Sequence, residues 1–278
     1  MYCFIQTATL AVILRNEEFL MDDLLPTILT SFATTMATKG AEAPAHTFNE
    51  AWKYFFGGVN SFLMRANLKR EVNDVKYAQS FINKAFKIPD EQLQEPKLSI
   101  IGPALEASKF YIDEEEIREM FASLLAASFD SSKNDILHHS YIEIIKQLSP
   151  LDAKNLRFIF DNKKYPIAKY SSNTPGTYSY KDLKTNVFLP EHDVLSNELI
   201  KIIDNNSSSI SNLERLGLIF VNRINPLADD SLYHNLEHNQ LVDFYKELLY
   251  EENLELDITK QNVSLTPFGK NFCSICIY

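Results

Sequence analysis

The stretch EEEIREMFASLLAAS, residues 114–128, indicates the fold more clearly than any other part of the chain. Its apolar residues recur at intervals of three and four, which is the spacing of one face of an α-helix. Asp113 before it is a suitable N-cap, and the three glutamates suit the positive end of the helix dipole. We therefore expect a core helix, with a buried face made of Ile117, Met120, Phe121, Leu124, Leu125 and Ser128.

Helical spacing continues on both sides of this stretch. Residues 24–39 show it, and Thr47 and Glu50 form a capping box that predicts the start of another helix. A long amphipathic helix is predicted to end near Phe86. Residues 140–152 repeat the pattern and then place a proline at the first position of a new helix. The fold class predicted from these patterns is mostly α.

The C-terminal part has a different order of elements, one that is typical of a winged helix. A turn at 204–209 is expected to precede a short helix that ends at Gly217. A strand at 218–224 and a helix from about 232 to 250 are predicted next. A β-hairpin around Lys260 and Gln261 and a last helix capped by Thr266 and Pro267 complete the winged-helix-like α+β region.

Four regions follow from these patterns. They are an N-terminal helical region at 1–95, a central helical core at 96–170, a linker or loop at 171–192, and the winged-helix-like region at 193–278. Residues 171–190 are expected to form a loop or a short hairpin.

Several classes of enzyme are excluded by composition. Only seven of the 278 residues are glycine, and only Gly57 and Gly58 are adjacent. Phosphate-binding loops, dinucleotide-binding fingerprints and nucleophile elbows all need clustered glycines. We therefore expect none of these three, and no cofactor.

Cysteine content indicates a cytoplasmic protein, and the acidic net charge disfavours contact with nucleic acid and anionic lipid. Asp and Glu total 37 against 27 Lys and Arg, and nearly all of the excess lies after residue 110. Three cysteines argue against a secreted disulfide scaffold. The apolar run at 2–14 is too short to cross a bilayer. Met21 is an alternative start to Met1, in which case residues 1–20 are a spurious extension.

One short motif carries recognisable chemistry. His234, Glu237 and His238 match the H-x-x-E-H pattern, in which two histidines one turn apart hold zinc and the glutamate activates water. Glu251 and Glu252 are candidates for the remaining ligand. A metal-dependent hydrolase is therefore an alternative function. The interpretation we favour places both histidines on a helical face partly covered by neighbouring elements, with no metal bound and the catalytic residues unassigned.

Binding surfaces are predicted from charge. Arg65, Lys69 and Arg70 lie on the basic face of the long amphipathic helix, which is typical of contact with a membrane surface or an acidic partner. Pairing of this face with the glutamates at 114–116 within the chain is the alternative. Residues 209–278 contain 5 basic against 10 acidic residues, so nucleic acid is an unlikely partner. A nucleic-acid-binding regulator is kept as the second alternative function, and a protein partner is expected.

Two other motifs have structural interpretations. Cys273 and Cys276 form a single C-x-x-C that lacks a second pair, so buried small side chains are expected. His138, His139 and Ser140 are not expected to act as a base and a nucleophile, because neighbouring residues on a helix point in different directions, and Ser140 is interpreted as a cap or a surface hydroxyl.

Three segments of the chain resemble the abortive infection alpha (Abi-alpha) family of bacterial proteins. They are IGPALEA at 101–107, EEEIREMFASLLAAS at 114–128 and SYIEIIKQLSPLDAKNL at 140–156. Weaker matches in the same order are AWKYFFG at 51–57, SNLERLGLI at 211–219 and LTPFGKNFC at 265–273. The resemblance covers roughly residues 44–278, although His139 stands where family members usually carry proline. It implies a bacterial cytosolic protein that acts in defence against phage, with no reaction or catalytic residues attached.

Overall fold

The computed structural model describes residues 29–30, 32–39, 42–56, 68–176, 180–193 and 198–277. The predicted alternative start at Met21 and most of the first predicted helix lie outside these residues. The chain divides into two compact units, Met1–Gln147 with Ser274–Tyr278, and Leu148–Cys273. Most of the described residues are helical, and a small antiparallel sheet lies in the second unit. This confirms a mostly α chain with an α+β C-terminal part.

The first unit is helical in all of its longer elements that the structure describes. After helical residues at 32–38, its helices are α1 Glu42–Phe56, α2 Leu68–Ala85, α3 Leu98–Ser108, α4 Glu115–Ser128 and α5 Ser140–Ile145. Short 3-10 turns occur at Asp90–Gln92 and Ser131–Lys133.

The predicted core helix is α4, and its apolar face is buried as expected. Ile117, Phe121, Leu124 and Leu125 are all inaccessible to solvent. Asp113 is not its N-cap, because the helix begins after Glu114 and Asp113 accepts a hydrogen bond from Asn73 of α2 instead. The Asp113 carboxylate thus links α2 to the chain just before α4 instead of capping α4.

Aromatic rings fill the centre of the first unit. Phe48 of α1 and Phe81 of α2 stack with their centroids 4.0 Å apart. Phe32 and Phe129 meet the ring of Phe81 at 5.3 and 5.5 Å. All four rings are fully buried. Aromatic pairs of this geometry add about 0.5–1.5 kcal/mol each beyond the area they bury, so these contacts hold three helical segments together.

Helix α1 starts earlier than predicted. Pro44 falls within its first turn, where the N–H that proline lacks has no partner in a helix in any case. Thr47 therefore lies inside the helix rather than at its N-cap, and its hydroxyl donates to Glu95 at 3.0 Å. The predicted capping box is wrong for this reason.

The second unit combines helices with the sheet. Its elements are α6 Pro150–Asn162, β1 Lys164–Asn173, β2 Tyr180–Val187, α7 Leu199–Arg215, β3 Ile219–Asn222, α8 His234–Glu237, α9 Gln240–Glu251, β4 Glu255–Leu265 and most of α10 Pro267–Cys276, whose last three residues belong to the first unit. Further 3-10 turns occur at Glu191–Asp193 and Asp230–Tyr233. The predicted start of α6 is confirmed, since Ser149 and Asp152 form a complete capping box with Pro150 at the first position.

The strand order is β2-β1-β4-β3, with every neighbouring pair antiparallel. The short hairpin, one of the two interpretations of residues 171–190, is present, because most of residues 171–187 lie in strands β1 and β2, which pair with each other. The predicted hairpin around Lys260 and Gln261 is wrong, because both residues lie within the continuous strand β4. A tight hairpin needs residues that accept positive φ, and Lys-Gln does not provide them. The strand that pairs with β4 is β1, which comes earlier in the chain.

Helix α7 runs through the predicted turn at 204–209. Polar residues in a helix interior often compete for backbone hydrogen bonds. Here the hydroxyls of Ser207, Ser208 and Ser211 each donate to the carbonyl four residues earlier, at 2.7–3.0 Å. Backbone carbonyls of the same helix accept the hydrogen bonds of these hydroxyls, so the serines do not interrupt the helix.

One face of the sheet forms the hydrophobic core of the second unit. Ala168 and Tyr170 of β1 are fully buried there, with Leu199 and Ile203 of α7 and Val242 of α9. Lys260 and Ile258 of β4 lie opposite Ala168 and Tyr170. Because side chains alternate along a strand, Lys169, Thr259 and Gln261 lie on the other face.

Tyr170 makes the stability of this core depend on pH. Its hydroxyl donates to the carbonyl of Leu236 at 2.6 Å and accepts from Asn239 at 3.1 Å. Burial raises the pKa of Tyr170 to about 12, whereas the same group titrates near 10 when the chain is unfolded. The neutral hydroxyl therefore makes its full contribution to the free energy of unfolding below pH 10, and this contribution is lost as the pH rises towards 12.

We expect the free energy of unfolding to fall by up to about 3 kcal/mol between pH 10 and 12 on account of Tyr170. Urea denaturation at several pH values measures this fall. Tyr170→Phe should be less stable at neutral pH by about 1 kcal/mol but should lose less stability in alkali. Tyr180→Phe, at an exposed position, serves as the control. Equal alkaline slopes in wild type and Tyr170→Phe would contradict the prediction.

Candidate functional site

The two histidines of the predicted zinc motif do not lie on one continuous helix. Helix α8 is only four residues long, and His238 leaves it with φ −131° and ψ 83°. Asn239 then caps α9 by accepting hydrogen bonds from Leu241 and Val242, so the single helix predicted over 232–250 is interrupted here. The rings of His234 and His238 stack with their centroids 4.5 Å apart. The motif brings the two rings together by stacking them face to face.

Glu237 is bound to a cation instead of facing a metal position. Lys260 of β4 contacts its carboxylate at 2.8 Å and that of Asp230 at 2.6 Å. The ammonium also lies 5.4 Å from the centroid of the Tyr233 ring. The hydrogen bonds to Asp230 and Glu237 raise the pKa of Lys260, so the lysine is cationic at neutral pH. Over the described part of the chain, no group of three His, Cys, Asp or Glu side chains is placed to hold a metal ion.

We expect the purified protein to hold no stoichiometric zinc. His234→Ala combined with His238→Ala should leave its biological activity unchanged, because Glu237 is neutralised by Lys260 and is not free to activate water. Metal analysis by mass spectrometry measures the zinc content. About one zinc per chain that disappears in the double variant would overturn this expectation.

The predicted basic face is only partly described. Arg65 lies outside the described residues, and for Lys69 and Arg70 the structure places the backbone in the first turn of α2. Further along α2, Lys84 contacts Glu119 of α4 at 3.7 Å. Contact of Arg65, Lys69 and Arg70 with a membrane or a partner stays a prediction.

The cysteine pair agrees with its structural interpretation. Cys273 and Cys276 are free thiols and almost fully buried. Burial, followed by the charge of Asp161, raises the pKa of Cys273 to about 12. The reactive form of a cysteine is the thiolate, so this residue is chemically quiet at neutral pH.

A buried polar network between α6 and α7 was not predicted from the sequence. Asn155 donates to Asn206 at 3.2 Å and to Ser209 at 3.0 Å. Asn206 donates to Asp193 at 3.2 Å and to a backbone carbonyl. Asp152 accepts from Asn212 at 3.0 Å. These hydrogen bonds fix the register of the two helices, since a buried polar group without a partner is costly.

The end of α7 and the beginning of α10 are joined by hydrogen bonds. Gly217 follows α7 with φ +71°, a conformation that favours glycine. The Thr266 hydroxyl donates to the carbonyl of Gly217 at 2.7 Å, and the Thr266 amide donates to that of Leu218 at 3.1 Å. The same hydroxyl accepts from the amide of Gly269 at 2.8 Å and so caps α10, as predicted. We call this arrangement the threonine joint.

The side of the sheet away from the core holds a polar cleft of about 390 Å³. It is lined by Lys169, Asp182, Thr185, Asn186, Arg223, Thr259 and Gln261. These residues come from β1, β2, β4 and the chain directly after β3. Sequence patterns did not indicate the cleft, because its residues are brought together only by the strand order. We call it the sheet cleft.

A family model described as abortive infection alpha matches residues 69–276. The chain belongs to the abortive infection alpha family. The match confirms the resemblance over most of its predicted extent, although AWKYFFG at 51–57 precedes it. No curated protein and no solved structure matches.

Within this abortive infection alpha protein, two of the weaker resembling segments form the threonine joint. Gly217 and Leu218 belong to SNLERLGLI at 211–219, while Thr266 and Gly269 belong to LTPFGKNFC at 265–273. The residues that resemble the family in these segments are therefore the ones that hold the start of α10 against the chain after α7. Among the helices described for this family member, none is both long and apolar enough to cross a membrane.

Proposed function

We propose that this protein takes part in abortive infection, in which an infected bacterium prevents phage propagation at the cost of the cell. The observation that carries the proposal is the family match over residues 69–276. We further propose that it acts in the cytoplasm through contact with a protein partner, without catalysis by the H-x-x-E-H motif. The contact between Glu237 and Lys260 supports this preference over a metal-dependent hydrolase.

Exposed apolar side chains in the second unit support a protein partner. Ile224 is 86% exposed and Tyr250 is 84% exposed, and Phe220 and Phe244 are each about half exposed. Large apolar and aromatic side chains are common anchors of protein interfaces. The acidic excess of residues 209–278 argues against nucleic acid as the partner of this region.

The winged-helix likeness belongs to the same proposal. Elements α7, β3, α9, β4 and α10 follow the helix and strand order of a winged helix, but the wing hairpin is replaced by the pairing of β4 with β1. We propose that this region packs the unit and presents a surface for a protein partner. Reading DNA requires cations on the wing, and Lys260 at the predicted tip is held by Asp230 and Glu237.

Phage challenge of bacteria that express the full chain tests the proposed role. We expect fewer plaques than in cells that carry an empty vector, and no rescue of individual cells when every cell is infected. Survival of infected cells, or unchanged plaque numbers with a folded and expressed protein, would contradict abortive infection.

Two sets of variants distinguish action through a protein partner from action at a membrane surface. Ile224→Asp should weaken protection if an apolar protein contact is needed, whereas Ile224→Val should preserve it. Reversal of Arg65, Lys69 and Arg70 to Glu should abolish binding to anionic vesicles if the basic face is a membrane surface. If the triple variant keeps protection and Ile224→Asp loses it, the protein-partner route is supported. The opposite pattern supports the membrane route.

A further inference from the structure

We propose that the sheet cleft binds a nucleotide, with the base at Gln261 and Arg223 and the phosphate at Lys169. The proposal does not depend on the role in abortive infection. It rests on four side chains of the cleft, three on strands of the sheet and one, that of Arg223, directly after β3.

Gln261 provides a hydrogen-bonding edge at the bottom of the cleft. The residue is only 4% exposed, and its side chain lines the cleft. An amide that lines a cleft makes its hydrogen bonds there, to water or to a ligand. A glutamine amide offers a donor and an acceptor side by side, which matches the edge of a nucleobase.

Asn186 adds an acceptor beside this amide. It is 6% exposed and has φ +53°, so its position is set by an uncommon backbone conformation. Its side-chain nitrogen donates to Ser211 at 3.0 Å, which fixes the orientation of the amide. The side-chain oxygen is an acceptor and can accept from an exocyclic amino group in the cleft.

Arg223 offers a flat surface on which a ring can stack. Its two terminal nitrogens donate to the two carboxylate oxygens of Glu214 at 2.8 and 2.7 Å. This bidentate contact uses the edge of the guanidinium and holds its plane in place. The Arg223 side chain is about half exposed, and a guanidinium face stacks readily on a nucleobase.

Lys169 provides the charge for a phosphate. Its ammonium pairs with Asp182 at 2.6 Å, its one ion pair among the described residues, and an ammonium has three donors. Lys169 lies opposite Thr259 on the cleft side of the sheet, two residues along β4 from Gln261. Asp182 repels an anion, so its removal should favour the phosphate.

Titration of the full chain with AMP, GMP, CMP and UMP, followed by calorimetry, tests the proposal. We expect one saturable site for at least one nucleotide and weaker binding of the corresponding nucleoside. Gln261→Met keeps the shape of the side chain without its hydrogen bonds and should weaken binding about tenfold or more, a loss of about 1.4 kcal/mol. Arg223→Lys keeps the charge but not the plane and should also weaken binding.

The variants of Lys169 and Asp182 are expected to change nucleotide affinity in opposite directions. Lys169→Met should weaken the nucleotide but not the nucleoside, whereas Asp182→Asn should tighten the nucleotide alone. Lys201→Met removes a lysine of α7 that lies outside the cleft and serves as the matched control. Thermal melting checks that each variant is folded.

Three results would overturn the proposal. The first is no saturable binding of any of the four nucleotides at millimolar concentration. The second is binding that folded Gln261→Met and Lys169→Met leave unchanged. The third is inorganic phosphate that binds as tightly as the nucleotides, which would show that the base is not recognised.

Discussion

Gly269→Ala is expected to destabilise the second unit by about 3 kcal/mol or more, at the upper end of what overpacking costs. A Cβ atom at this position would lie 1.8 Å from the carbonyl oxygen of Leu218 and 2.7 Å from its carbonyl carbon. The obstructing atoms belong to the backbone, so no side-chain rotation relieves the clash. Moving Leu218 away would break the hydrogen bond that its carbonyl accepts from Thr266. The substitution therefore breaks the threonine joint.

Urea denaturation followed by circular dichroism measures this loss. Gly102→Ala is the matched control, because no atom lies within 4 Å of a Cβ at Gly102 and the residue lies inside α3. Replacing a helical glycine by alanine there should raise stability by up to about 1 kcal/mol. If both variants have the midpoint of the wild type, the close approach of α10 to Leu218 is not present in solution.

Leu124→Ala is expected to cost about 2–5 kcal/mol in the first unit, because the lost burial adds to the cavity that remains. Leu124 is fully buried in α4, among the rings and aliphatic side chains of the helical core. Thermal and urea denaturation measure the change. Leu98→Ala is the same substitution at a position that is 68% exposed, and it should change stability by less than about 1 kcal/mol. Equal effects at the two positions would show that the predicted face of α4 is not the core.

The periodicity of apolar residues predicted those helices that bury a single apolar face. The face of α4 and the start of α6 at Pro150 were correct, because both depend on residues a few positions apart. The turn at 204–209 was wrong, since the serines there satisfy their hydroxyls along the helix. The hairpin at Lys260 and Gln261 was wrong because the partner of β4 is distant in sequence.

The sheet cleft could not be predicted from the same patterns. Lys169, Arg223 and Gln261 meet because β4 lies between β1 and β3, an order that no local signal encodes. At His234 and His238 a local signal was present but misleading. The spacing of the two histidines predicted one continuous helix, whereas Asn239 begins a new one.

The pairing of β1 with β4 affects how the protein forms during synthesis. Asn173 pairs with Glu255, so one edge of the β1–β2 hairpin has no partner until the ribosome has made the intervening chain and β4. At about 5–20 residues per second, that delay lasts several seconds. An open strand edge is a template for pairing with other chains. The nascent second unit therefore passes through an interval of aggregation risk, which ends only when β4 has left the ribosome and closed the sheet.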